Sequence, residues 1–237
     1  MSKDNERRIR DYVENVAWED VPAVLDSRRQ RIVALIQKIK TQRERNDENV
    51  LFSQCLAKAC ELIELFSKAW RTHLPQGCVA TRCMFELDLL ARLFEQEPAS
   101  RMRFYYSVLW EEKQEVEAFL AIDSTGDATQ ALRERLEQLE EIQRRYNLSP
   151  NKDHIRLNWS ELAKRFSVRE TDYETIYRWS SRMLHITPYS VLRLGTEPTR
   201  PEEAATWNLL LVITQVYLGD LLQRISGMLN LRFEIGE

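Results

Sequence analysis

The stretch Val79–Phe94, VATRCMFELDLLARLF, decides the fold class. At about 100° per residue it wraps into a helix with a coherent polar side of Thr81, Asp88, Arg92 and Glu95. Arg82 and Glu86 do not lie on that side. They fall on the opposite arc, among Val79, Leu89, Leu90 and Leu93. Charges on an apolar arc are costly unless paired, and an i,i+4 arginine and glutamate can meet. One reading is an internal ion pair that fixes helix register. The other is a polar site, Arg82/Glu86, at the centre of a helical bundle.

The same periodicity extends outward in both directions. A short charged helix is expected over the first ~18 residues by its composition. Asp20-Val21-Pro22 opens a long helix, with Asp20 as N-cap and an apolar face of Val21, Val24, Leu25, Ile32, Leu35, Ile36 and Ile39. The polar run 40–47 frays or ends it. A second long helix is expected from Glu48 to His73, broken by Leu74-Pro75-Gln76-Gly77. Further helices are expected over 78–96 and 99–122, with Ser124–Asp127 as a loop. The stretch 128–146 carries Leu132, Leu136, Leu139 and Tyr146 at heptad-like spacing, too short for a coiled coil. Residues 147–158 read as an exposed connection. Short helices at 159–166 and 171–186 follow, then an irregular stretch marked by Pro188, Gly195, Pro198 and Pro201. The last helix, Glu202–Leu229, is apolar over much of its surface and belongs near the bundle centre.

These elements give an all-α, multi-helix bundle. It is read as a single helical domain, 1–237, with residues 1–47 as an N-terminal helical extension and 48–237 as the core. Six glycines and seven prolines in 237 residues favour long helices over a turn-rich β fold. Hydrophobic residues at 43% and charged residues at 30% exclude a disordered or membrane composition. No apolar run reads as long enough to span a bilayer and the N-terminus shows no signal-peptide core, so no membrane partner and a cytoplasmic location are expected. Cys55/Cys60 and Cys78/Cys83 are each five apart, which turns helical side chains about 140° away from one another. They read as reduced, mostly buried thiols. No metal and no cofactor are expected.

A net charge of −3 excludes bulk coating of nucleic acid, but the charge is uneven. Acids dominate from Glu111 to Glu141, and arginine and lysine dominate from Arg144 to Arg200. The basic half contains Tyr177-Arg178-Trp179-Ser180-Ser181-Arg182-Met183-Leu184-His185. As a helix, its inward face is Tyr173, Ile176, Tyr177, Ser180 and Leu184. Glu174, Arg178, Ser181 and His185 share the adjacent flank, with 178 and 185 within roughly 20°. Arginine can fork onto a phosphate, and histidine moves a proton near neutral pH. His185 is therefore a candidate general acid/base, Arg178 a phosphate holder and Ser181 a ring-orienting group, with Arg182 or Tyr189 adding a contact. The plainer reading is a solvated flank whose histidine sits at a helix C-terminus. No glycine-rich phosphate loop, nucleophile elbow or zinc-protease string is present.

Arg178-x6-His185, late in an all-helical chain, resembles the R-x(4–6)-H motif of HEPN-superfamily domains. The resemblance implies a HEPN-like core and a metal-independent endoribonuclease, dimeric, of a toxin–antitoxin or antiviral defence type, with Arg178 and His185 as its catalytic pair. The position after the arginine, small and polar in active members, is Trp179 here. The chain is also similar, over roughly 50–190, to bacterial helical proteins of unknown function with an arginine-to-glutamate helix (Arg82, Glu86) and a Tyr-x3-Ser-x3-His stretch (Tyr177, Ser181, His185). RNA is then the expected partner, with Arg82 and Glu86 supporting the site. Two other functions fit the residues: a non-enzymatic adaptor that binds a protein through 111–146, and a small-ligand sensor using the Arg82/Glu86 pocket.

Overall fold

Helix α1, Val21–Gln42, starts where Pro22 can sit without a backbone N–H to donate. A computed structural model describes residues 17–122, 129–166, 170–184 and 201–231, and among these it holds nine helices and no strand. After α1 come α2 (Asp47–Ala69), α3 (Leu74–Gln96), α4 (Ala99–Ile122), α5 (Thr129–Arg145) and α6 (Pro150–Asp153). Then follow α7 (Trp159–Arg165), α8 (Glu170–Leu184) and α9 (Pro201–Met228). The N-terminal charged helix, the Ser124–Asp127 loop and the proline-marked stretch before Pro201 lie outside the described residues.

The chain divides into two compact units, Met1–Gln96 with Asn158–Glu237, and Glu97–Leu157. In the first unit α3 is the central helix. It packs against α9, α2, α8 and α7, while α1 packs on α2. The expected α1 face is the one buried, through Val21, Leu25, Ile32, Leu35 and Ile39. Asp20 occupies the N-cap position, but its side chain makes no capping bond. The sharper start belongs to α2, where Asn46 accepts from the Asn49 amide at 2.8 Å.

Leu74–Gly77 does not separate α2 from α3, as the sequence suggests; it forms the first turn of α3. A proline there loses nothing, because first-turn amides have no intrahelical acceptor. The chain reverses instead at Trp70–His73, with Arg71 in the left-handed region at φ 57°. Gly77 has a different task. A methyl group there would lie 2.5 Å from the Trp207 ring. Trp207 stacks edge-on against Phe66 and Trp70, whose indole N–H donates to the Trp18 carbonyl at 3.0 Å.

Helix α9 is well buried, as its composition suggests, but it packs on α3 and α2 rather than at the bundle centre, a place that α3 takes. Trp207, Leu211, Leu218, Leu221 and Ile225 are all buried. By length and hydropathy Ala204–Met228 would qualify as a membrane span, contrary to the sequence reading, and 56% of its most apolar window is buried inside the protein. A core helix meets the same description.

In the second unit α5 and α6 pack on α4. Arg135 grips Glu112 at 2.6 Å and Lys113 reaches Glu140 at 2.7 Å, so the acidic and basic residues of this hairpin partly neutralise one another. Leu139 is fully buried beneath α4, while Leu132 and Leu136 are half-buried. Residues 147–158 are more than an exposed connection. They contain α6, the Ser107 hydroxyl accepts from the Ile155 amide at 2.9 Å, and the His154 ring lies beside Trp110 at 5.9 Å.

Candidate functional site

Arg82 and Glu86 lie one turn apart on α3, and Arg82 Nε donates to Glu86 at 3.1 Å. Both are half-buried, at 27% and 19% exposure, rather than sealed in the bundle. Helix α8 crosses above them. Tyr177 donates its hydroxyl hydrogen to Glu86, and the Arg82 guanidinium lies 4.1 Å from the Tyr177 ring centroid. Tyr177 in turn stacks on Tyr173 at 4.3 Å, and both pack against Phe85. Burial is the largest single influence on Arg82 and opposes its cation, but the hydrogen bond and charge of Glu86 together with Tyr177 outweigh it, so the Arg82 pKa rises. Burial and the Glu86 carboxylate push the Tyr177 phenol well above its usual range, so it remains a donor at neutral pH. The three groups form one closed unit across α3 and α8.

The stripe on α8 divides. Ile176 and Ser180 are buried as expected, and Ser180 satisfies its hydroxyl on the Ile176 carbonyl at 2.6 Å. Arg178 points outward at 74% exposure and pairs with Glu174 on its own helix at 3.5 Å. It does not join Arg82 and Glu86. Ser181 is half-buried between the two arcs, and Arg182 is exposed. His185 and Tyr189 lie outside the described residues. Of the expected site residues, Arg82, Glu86 and Tyr177 therefore come together, while Arg178 stands apart on solvent.

The polar side of α3 is the larger surprise. Thr81 and Asp88 are fully buried, because α9 covers the arc that the helical wheel assigns to water. Thr81 and Thr214 share a hydroxyl hydrogen bond at 2.8 Å. Farther along, Arg92 donates to Asp88 at 2.8 Å and also to Asp220, while Arg224 donates to Asp220 at 3.3 Å and to Glu95. The available signal is that α3 and α9 each carry an aspartate and an arginine four apart, Asp88/Arg92 and Asp220/Arg224, within apolar sequence.

Cysteine chemistry is suppressed. Cys55, Cys60, Cys78 and Cys83 are all free thiols, and burial pushes Cys55 and Cys78 up to about 12. Low thiolate content makes such groups poor nucleophiles. Cys78, Thr81, Ile176, Ser180 and Ile213 line a narrow cleft between α3, α8 and α9 of about 10 Å³, enough for one water.

Fold and site together define an all-helical protein whose central helix carries two separate polar clusters, one closed by α8 and one by α9. The chain belongs to a family of unknown function, DUF5677, which matches residues 48–200. No curated protein and no solved structure matches it.

Proposed function

We propose that the protein acts on RNA in the bacterial cytoplasm as a HEPN-like, metal-independent endoribonuclease of a defence or toxin type. One observation supports this reading above the others. Arg82 and Glu86 of α3 close on Tyr177 of α8, which anchors the helix bearing Arg178 and Ser181 while leaving Arg178 open to solvent. A phosphate-binding arginine has to be reachable before substrate arrives, and its exposed partner Glu174 is a weak competitor. In the reaction, His185 takes the proton from a ribose 2′-hydroxyl. That oxygen attacks the adjacent phosphorus, the bond to the 5′-oxygen breaks, and the His185 imidazolium gives its proton to the leaving oxygen, leaving a 2′,3′-cyclic phosphate. Arg178 holds the charge that builds on the phosphoryl oxygens. Dimerisation would bring a second stripe to the same strand.

The test is cleavage of single-stranded RNA by the full-length protein in the presence of a chelator. His185→Ala and Arg178→Ala should each lower the rate by about 10²–10⁴-fold with the helical circular dichroism unchanged. Cleavage by His185→Ala at the wild-type rate rejects the proposal.

A protein-binding adaptor is the second reading, and one observation favours it: Val108, Phe119 and Ile122 are exposed on α4, beside the exposed Glu111 and Glu115. Leu132 and Leu136, apolar residues of the same 111–146 segment, are half-buried in the hairpin. A stoichiometric cellular partner lost with Phe119→Lys and Ile122→Lys, but retained by His185→Ala, would favour the adaptor.

A further inference from the structure

Two guanidiniums and three carboxylates meet where α9 covers α3. Arg92 is shared between Asp88 and Asp220, and Arg224 between Asp220 and Glu95. Asp88 is the deepest of the five, with its side chain fully buried. Its Oδ2 accepts from Arg92, but its Oδ1 accepts nothing, and the Arg224 Nε opposite, 3.9 Å away, donates to nothing. Glu95 is 44% exposed and solvated, so the sealed part of the cluster is Asp88 and Asp220 against Arg92 and Arg224. An ionised Asp88, with one oxygen unbonded and Asp220 beside it, has little water to screen it.

We propose that the α3–α9 seam is a proton-linked latch: while the two helices are packed the cluster keeps one proton on Asp88, and losing that proton weakens the hold on α9. The groups facing Asp88 are Arg92 on its own helix and Asp220 and Arg224 on α9. Glu95 enters the cluster through Arg224, and Tyr217 through Arg92. Arg82 and Glu86 turn the other way, toward α8. Burial pushes Asp88 up to about 7, with Arg92 opposing the rise and the Asp220 charge adding to it. An unfolded aspartate titrates near the ordinary 3.8. Between these values the packed state binds more protons than the unfolded one. Asp88 therefore lowers stability progressively as pH rises through that window, and the loss levels off above about 7.

Urea unfolding of the full chain from about pH 5 to about pH 8.5 tests this, with Asp88→Asn as an uncharged isostere. The wild-type midpoint should fall across that range more steeply than the Asp88→Asn midpoint, and the difference should saturate at the alkaline end. Parallel profiles overturn the latch. If Asp88→Asn does not fold, infrared difference spectra of the wild-type protein decide. A protonated-carboxyl carbonyl band that disappears with a midpoint near neutrality supports the proposal, and the absence of such a band overturns it.

Discussion

The two polar clusters on α3 use the same ingredients to opposite ends. Asp88/Arg92 and Arg82/Glu86 are each an acid and an arginine four residues apart on one helix. The first is sealed under α9 and shares its arginine with a second aspartate. The second is half-open, and its glutamate is completed by a neutral phenol from α8. The cost of desolvation separates them. Deep in the α3–α9 seam a lone charge is intolerable, so arginines and carboxylates knit together across helices. At the α3–α8 edge water carries part of the load, and a single hydrogen bond from Tyr177 suffices. Burial, not residue type, decides which pair is sealed and which stays half-open.

The hardest blow to this contrast is Asp220→Ala. It removes the carboxylate shared by Arg92 and Arg224, and urea titration should show a loss of about 3–5 kcal/mol, the cost of breaking a buried charge cluster. A loss below about 1 kcal/mol would mean the seam is wet, like the α8 edge. Gly77→Ala probes the apolar end of the same seam. Its methyl would overlap the Trp207 ring, so thermal unfolding should report a cost of about 1–3 kcal/mol. Tyr177→Phe keeps the ring against Phe85 and Arg82 but deletes the hydrogen bond to Glu86. It should cost about 1 kcal/mol, and a loss as large as that of Asp220→Ala would erase the distinction between the clusters. Smallest of all, Arg178→Ala on the exposed flank should change stability by less than about 0.5 kcal/mol, leaving any fall in RNA cleavage as an effect on chemistry.

Much of the bundle was legible because apolar spacing marks helices strongly. The α1 face and the apolar, largely buried character of α9 both follow from it. What a wheel cannot supply is the identity of the neighbour. Thr81, Asp88, Arg92 and Glu95 form one polar arc in the sequence, and only the position of α9 shows that Thr81 and Asp88 are buried. Leu74–Gly77 misleads for a related reason. Proline and glycine normally end a helix, yet here Pro75 begins one and Gly77 makes room for a tryptophan 130 residues later in the chain. In the candidate site, the meeting of Arg82 with Glu86 was readable from their spacing, whereas the closing hydroxyl of Tyr177 depends on how α8 crosses α3.

The family match ends at residue 200, and α9 begins at Pro201. The ribosome therefore makes the principal neighbour of α3 only after the whole matched segment has been synthesised, and Thr214 must find a threonine made 133 residues earlier. Until then the nascent chain exposes aromatic surface at Phe66 and Trp70, and the Asp88–Arg92 pair lacks Asp220. A stop codon shortly before Pro201 should yield a product that chaperones retain and proteases clear.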